Sequence, residues 1–271
     1  MFSARLAGLP VVAAALVALA VACTTPALGS DRVEARFEIF GFAGLHLLTN
    51  RTIAEETTSG YAIATNLDTR GLASAFVDLR SHSEVQGVLP GEIPRPQTYR
   101  AEVWRNGSDR YYGLRYLDDG AVVGTSVLPS AEGAHLDPVQ VRGTVDQLTA
   151  YFLLERQLAR RGSCRLVVPV FDGNELYRLR FSDVKEDMLS PDDYQGFAGP
   201  TRVCEVIREM IVANPDKKEG TYQQGRLWYA RLLPGDRMVP VRMEYETAFG
   251  KVVGYLAELI GHGIHLHLMA E

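Results

Sequence analysis

The chain has 271 residues, 46% of them hydrophobic and 23% charged, with 28 Lys+Arg against 33 Asp+Glu for a formal net charge of −5. That is ample material for a sizeable core. The mildly acidic, mixed-sign balance gives no attraction for nucleic acid or for anionic lipid headgroups, and neither is expected as a partner.

Met1 to Gly29 carries one positive charge at Arg5, no acidic residue and a continuous apolar run from Val11 to Ala22. This is the three-part layout of a secretory signal, and it predicts work outside the cytoplasm, in the periplasm of a Gram-negative-type bacterium. The run is far shorter than the roughly 20 residues that cross a bilayer as a helix, and no later stretch comes close, so no permanent transmembrane helix is expected. Two cuts compete. Small residues at Ala27 and Gly29 suit a general signal peptidase acting before Ser30. Cys23, preceded by Leu19-Ala20-Val21-Ala22, resembles a lipoprotein attachment site, with Leu19 one step too early. The first cut divides the chain into a signal over 1–29 and a single β-rich domain over 30–271.

From Val33 onward most of the chain alternates. Val33, Ala35, Phe37, Ile39 and Gly41 face one way and Glu34, Arg36, Glu38 and Phe40 the other, the period of a half-buried strand. Leu45 to Ile53 and Tyr61 to Leu67 continue in this mode, Ala73 to Leu79 fits either a strand or a helical turn, and the Pro- and Gly-rich run Gly87 to Pro96 predicts a loop. Tyr99–Trp104, Tyr111–Leu117 and Ala121–Leu128 follow, separated by Asn106-Gly107 and Asp118-Asp119-Gly120. Both turns tolerate the positive φ of tight hairpins, so this region predicts a meander.

One helix interrupts the strands, from about Val145 to Arg161. Thr144 with Gln147 forms a capping-box pattern, Val145, Leu148, Phe152 and Leu158 fall near helical spacing, and Arg160-Arg161-Gly162 supplies a basic last turn and a glycine stop. Strands resume at Leu166–Phe171, Glu175–Val184, Arg202–Ile211, Arg226–Leu232, Val239–Thr247 and Lys251–His267, with a loop over Pro191 to Pro200. Connections this short suit antiparallel neighbours, so the pattern predicts a mainly β chain: one antiparallel sheet with one helix laid against it.

Three cysteines occur, at Cys23, Cys164 and Cys204. Once Cys23 leaves with the signal or carries a lipid, an even pair remains in an oxidising compartment, which reads as a Cys164–Cys204 disulfide; two buried free thiols are the alternative. Neither cysteine has a second Cys or a His within two to four residues, which argues against a metal site there.

Leu136-Asp137-Pro138 before the helix, Val170-Phe171-Asp172-Gly173, Tyr177-Arg178-Leu179, Gly199-Pro200, Val239-Pro240-Val241-Arg242 and Phe249-Gly250 form, with the two cysteines, a recognisable pattern. It resembles the exported bacterial family called domain of unknown function 3108, most closely from Leu136 to Leu256. The first half agrees through Gly41-Phe42-Ala43-Gly44, Tyr61 and Gly71. The resemblance implies a single, strongly curved or half-open β-barrel wrapped around a helix, similar to periplasmic lipoprotein carriers, and it brings no catalytic residues to transfer.

No Gly-x-Ser-x-Gly elbow, phosphate-binding loop or His-Glu-x-x-His helix occurs. Asp118-Asp119 and Asp192-Asp193 sit on turns where adjacent side chains diverge, and they read as solvated loops. His262, His265 and His267 cluster near the end. His265 and His267 share one face of an extended segment, a geometry open to a metal, although a third ligand from His262 requires a bend at Gly263. An ordinary terminal strand shows the same pattern, so no metal is assigned. Trp104, Tyr111, Tyr112, Tyr116, Trp228 and Tyr229 lie on predicted strands and serve either as core or as the wall of an apolar cavity between sheet and helix. The expectation is a non-enzymatic envelope protein without a cofactor. It holds a lipid or the acyl chain of a lipoprotein, or alternatively acts as an envelope-integrity scaffold through a protein partner without a small-molecule ligand.

Overall fold

Alternating segments bury one face only when they pair edge to edge, and in this chain the named strands all join one sheet. The structure is a computed structural model that describes residues 31–71, 74, 78–128, 137–212, 224–235, 237–247 and 250–270. The signal over 1–29, the cut before Ser30 and the alternative attachment at Cys23 lie outside the described residues. Among the described residues no helix is long and apolar enough to cross a membrane.

The first half of the chain is a meander of seven strands: β1 (Asp31–Phe40), β2 (His46–Glu56), β3 (Gly60–Thr69), β4 (Leu79–Val88), β5 (Arg95–Arg105), β6 (Ser108–Tyr116) and β7 (Val122–Leu128). The helix α1 (Gln147–Arg161) then carries the chain to the far edge of the sheet. A second meander returns inward through β8 (Leu166–Phe171), β9 (Leu176–Leu189), β10 (Gly199–Val212), β11 (Gln224–Ala230), β12 (Val239–Thr247) and β13 (Gly250–Gly261). The two meanders meet where β13 pairs antiparallel with β1, from Val33 opposite Gly261 to Phe40 opposite Val253. Strand order is therefore β7-β6-β5-β4-β3-β2-β1-β13-β12-β11-β10-β9-β8, and a short β14 (Ile264–His267) pairs with β13 beyond the end of β12. Among the described residues no ladder joins β7 to β8, so the barrel is half-open, as the resemblance implies.

The helix lies inside the curve and is packed from both halves. Ala150, Leu154 and Leu158 share one core cluster with Val168, Leu179 and Val206 of the second meander. Phe152 joins a second cluster with Tyr61, Val85 and Tyr99 of the first, with Leu148 packed against it. The Cys164–Cys204 bond, between fully buried residues 40 positions apart, fastens the chain just after the helix to β10. A closed loop of this length contributes about 4 kcal/mol in the chain-entropy account.

The helix begins differently from the capping-box expectation. Asp146 is the N-cap, its Oδ1 accepting from the Thr149 backbone N–H at 2.9 Å, while the Thr144 hydroxyl donates to the Val141 carbonyl at 2.7 Å. Val145 is not helical because β8 claims it: its N–H donates to the Pro169 carbonyl at 3.1 Å, and its carbonyl accepts from Phe171 N–H at 3.0 Å. At the other end Gly162 takes φ 62° and donates to the Leu158 carbonyl at 2.8 Å, the glycine stop that the sequence predicts.

Two strand expectations also change. The segment from Lys251 to His267 is a hairpin, broken by positive φ at His262 (51°) and Gly263 (74°), and not one strand. The loop expected over Gly87 to Pro96 shrinks to a 3-10 turn at Pro90–Glu92, because β4 runs through Val88 and β5 starts at Arg95. Asn106-Gly107 turns as predicted, with φ of 51° and 82° at its two central residues.

Candidate functional site

The curve of the sheet is not filled by α1. A half-enclosed cavity of about 480 Å³ lies between them, within the usual size of small-molecule sites. Its apolar wall is built by alternation: Val33, Ala35, Phe37 and Ile39 of β1 project inward at every second position, and Met243 of β12 extends that wall. From the helix come Leu148, Tyr151, Phe152 and Glu155, which are i, i+3, i+4 and i+7 on one stripe.

The opposite wall is polar but internally paired. Asn50 Nδ2 donates to Thr65 Oγ1 at 2.9 Å, the Thr52 hydroxyl donates to Asn50 Oδ1 at 3.0 Å, and the two threonine hydroxyls lie 3.1 Å apart. Beside them Ser81 and Ser83 face inward, and Ser83 hydrogen-bonds the Tyr99 hydroxyl. Beneath the cavity, the buried Tyr61 hydroxyl meets Thr149 Oγ1 at 2.8 Å, and that hydroxyl donates to Asp146 Oδ2 at 2.6 Å. Burial pushes the Asp146 carboxyl up to about 6, against the Thr149 hydrogen bonds, which favour the charged form.

Two charged residues line the cavity. Burial pushes the Glu155 carboxyl up to about 7, against the nearby Arg237 guanidinium and with the Glu56 carboxylate. Arg237 Nη1 is buried without a hydrogen-bond partner among the described residues, its nearest acid being Asp31 with Oδ2 at 3.6 Å. Glu56 is itself bonded to Arg156 on the adjacent helix face.

The residues singled out in the sequence divide sharply. Cys164 and Cys204 are bonded to each other. Of the six strand aromatics only Tyr229 lines the cavity; Tyr112 is buried in the core, and the Trp228 indole donates to Asp187 Oδ2 at 3.2 Å. Trp104 lies outside, with the Arg80 guanidinium 5.1 Å from its ring centroid. Of the helical stripe Leu148 and Phe152 face the cavity, whereas Leu158 is buried against the second meander. The turn acids are structural: Asp119 accepts from Ala121 N–H at 3.0 Å and Arg142 Nη2 at 3.1 Å, and Asp192 accepts from Tyr194 N–H at 2.9 Å and Gln195 N–H at 2.8 Å.

The histidine cluster separates as well. His262 sits on the turn, its Nε2 2.7 Å from Asp31. His265 and His267 share an exposed face with Glu258 of β13, with ligand atoms of the three all within 4.8 Å of one another. His265 Nε2 is 2.7 Å from Glu258 Oε1, and Arg36 Nε donates to the other carboxylate oxygen at 3.3 Å. This arrangement offers two imidazoles and a carboxylate, but the carboxylate already has a cation.

Glu155, Arg237, Ser81 and Ser83 are among the cavity residues that nothing in the sequence singled out. Glu155 carried a usable signal, since an acid seven residues after Leu148 falls on the apolar stripe. Arg237 carried none, for it lies between strands where charge is ordinary.

The architecture thus defines a class: a half-open antiparallel barrel with an internal helix and a mostly apolar cavity between them. The chain belongs to the family described as protein of unknown function (DUF3108), whose model matches residues 36–257. No curated protein matches it. It is similar in structure to a β-barrel-like protein of the domain of unknown function DUF1849 from Brucella abortus, known from a crystal structure. That likeness has a TM-score of 0.52 at 12% identity, covers 87% of this chain and 98% of the other, and speaks for the fold alone.

Proposed function

We propose that the protein is exported to the periplasm and there binds the apolar part of a lipid, or the acyl chain of a lipoprotein, without catalysing a reaction on it. The observation that carries this reading is the cavity itself. About 480 Å³ of mostly apolar space is left open inside a sheet that otherwise packs its helix closely on both flanks. Protein interiors are normally packed without voids, because each unfilled volume forfeits dispersion and transfer free energy. A site of this size suits a ligand that fills it. The polar wall supports the same reading, since its hydroxyls and amide bond one another and leave the apolar wall free for a chain.

The test is purification of the protein from its own periplasm under native conditions, followed by solvent extraction and mass spectrometry. We expect a lipid near one per protein. Protein recovered without one, and failing to take up an added fatty acid or lipoprotein, would favour the scaffold reading, in which contacts with an envelope protein do the work.

A further inference from the structure

Beside its apolar wall and its internally paired polar wall the cavity carries two charged residues, Arg237 and Glu155, and these bear on what kind of apolar molecule fits. We propose, resting on the binding reading above, that the ligand is a single-chain amphiphile whose carboxylate head is held by Arg237 and Glu155 while its chain lies along Val33, Phe37, Phe152 and Met243. A wholly apolar ligand would leave both charged groups buried against hydrocarbon, at a cost in desolvation that nothing repays. A carboxylate head supplies Arg237 with a counter-charge inside the cavity. Arg237 and Glu155 both line the cavity, and Asp31, 3.6 Å from Arg237, makes an ion pair without a hydrogen bond. Charge-assisted bonds from arginine to carboxylate are among the stronger polar contacts a protein makes.

Glu155 completes the head site in its neutral form. It is half-buried, with its surface turned to the cavity, and a protonated carboxyl donates one hydrogen bond where an ionised one only accepts. With its carboxyl raised to about 7, it donates to the bound head below that pH and repels it above. The other ionisable groups around it are Arg237 from the segment before β12, Glu56 of β2 bonded to Arg156 of α1, and Asp31 of β1 beyond Arg237. Tyr99, Tyr151, Tyr229 and Tyr245 also line the cavity, and burial holds the Tyr99 hydroxyl well above its ordinary range. Only Glu155 among these is pushed to a value near neutral pH, so it sets the direction: tighter binding of an anionic head as pH falls.

Laurate and methyl laurate share a chain and differ in the head. Titrated by calorimetry into the full mature protein, the acid is expected to bind at least about tenfold more tightly than the ester, and Arg237→Gln is expected to abolish that difference. For the pH arm, decane-1-sulfonate stays ionised throughout. Its affinity should fall by about tenfold between about pH 6 and about pH 8 in the native protein and stay flat in Glu155→Gln. Equal affinity of acid and ester in the native protein would overturn the head-site inference and leave the apolar-binding reading standing. Failure of both to bind would overturn the two together, and a sulfonate slope that persists in Glu155→Gln would remove Glu155 from the head site.

Discussion

Asp146 shows how one side chain can be asked for two things that conflict. As an N-cap it must accept from the Thr149 N–H, which favours the carboxylate, yet it is fully buried, which favours the acid; burial wins and the group rises to about 6. A carboxyl raised on folding binds its proton more tightly in the native than in the unfolded state. Its contribution to stability is therefore fully present below the unfolded value and is lost as pH rises through about 6, and Glu155 adds the same trend up to about 7. Asparagine keeps the capping oxygen and carries no charge to desolvate. We expect Asp146→Asn to melt no lower than the native protein at pH 7 and to show a weaker loss of stability between about pH 4 and about pH 7. Asp146→Ala removes the cap and should cost about 1 kcal/mol, roughly 2–4 °C for a domain this size. Thermal melts across that range check both, and a Asp146→Asn melt as low as that of Asp146→Ala would show that the charge itself is needed.

At the scale of elements, the helix was legible from its spacing and glycine stop, and the hairpin at Asn106-Gly107 from its turn chemistry. What stayed hidden was hidden for a physical reason. In β4 the inward positions include Ser81 and Ser83, so a strand that faces the cavity shows no apolar alternation; its buried positions, Val85 and Gly87, come only towards its end. A sheet surface that lines a partly polar cavity need not obey the rule that strand prediction rests on. The same cavity separates two residues of the helical stripe that look alike in sequence. Leu158 is buried in the cluster between helix and second meander, so its truncation to alanine should cost about 2–5 kcal/mol, whereas Phe152 borders the cavity beneath the first strands on one side. We expect Phe152→Ala to fall below the about 3–5 kcal/mol of a tightly packed phenylalanine, and to lower affinity for laurate by at least about tenfold. Urea melts and calorimetry on the one variant compare the two losses. A full-sized loss of stability with unchanged affinity would mean that Phe152 belongs to the core and not to the site.

For the whole molecule, the order of strands places β1 at the seam. It is the first strand of the chain yet lies in the interior of the sheet, hydrogen-bonded to β2 on one side and to β13 on the other, so the barrel's two halves are joined through residues 33–40. The topology itself was not readable from the sequence, because alternation marks which residues form strands and says nothing of which distant strand each one meets. The seam does bear on the proposed export. β1 begins at Asp31, one residue after the cut expected before Ser30, so that cut would release a chain whose first residues are already those of the seam. Attachment through Cys23 would instead leave the short linker Thr24 to Ser30 between the lipid anchor and β1. The two outcomes differ in mass by residues 24–29, the cysteine and its acyl groups. We expect intact-mass analysis of protein from the periplasmic fraction to give a chain starting at Ser30; a mass carrying an acylated Cys23 would move the protein to the membrane surface, and an uncut chain starting at Met1 in the cytoplasm would end the export proposal.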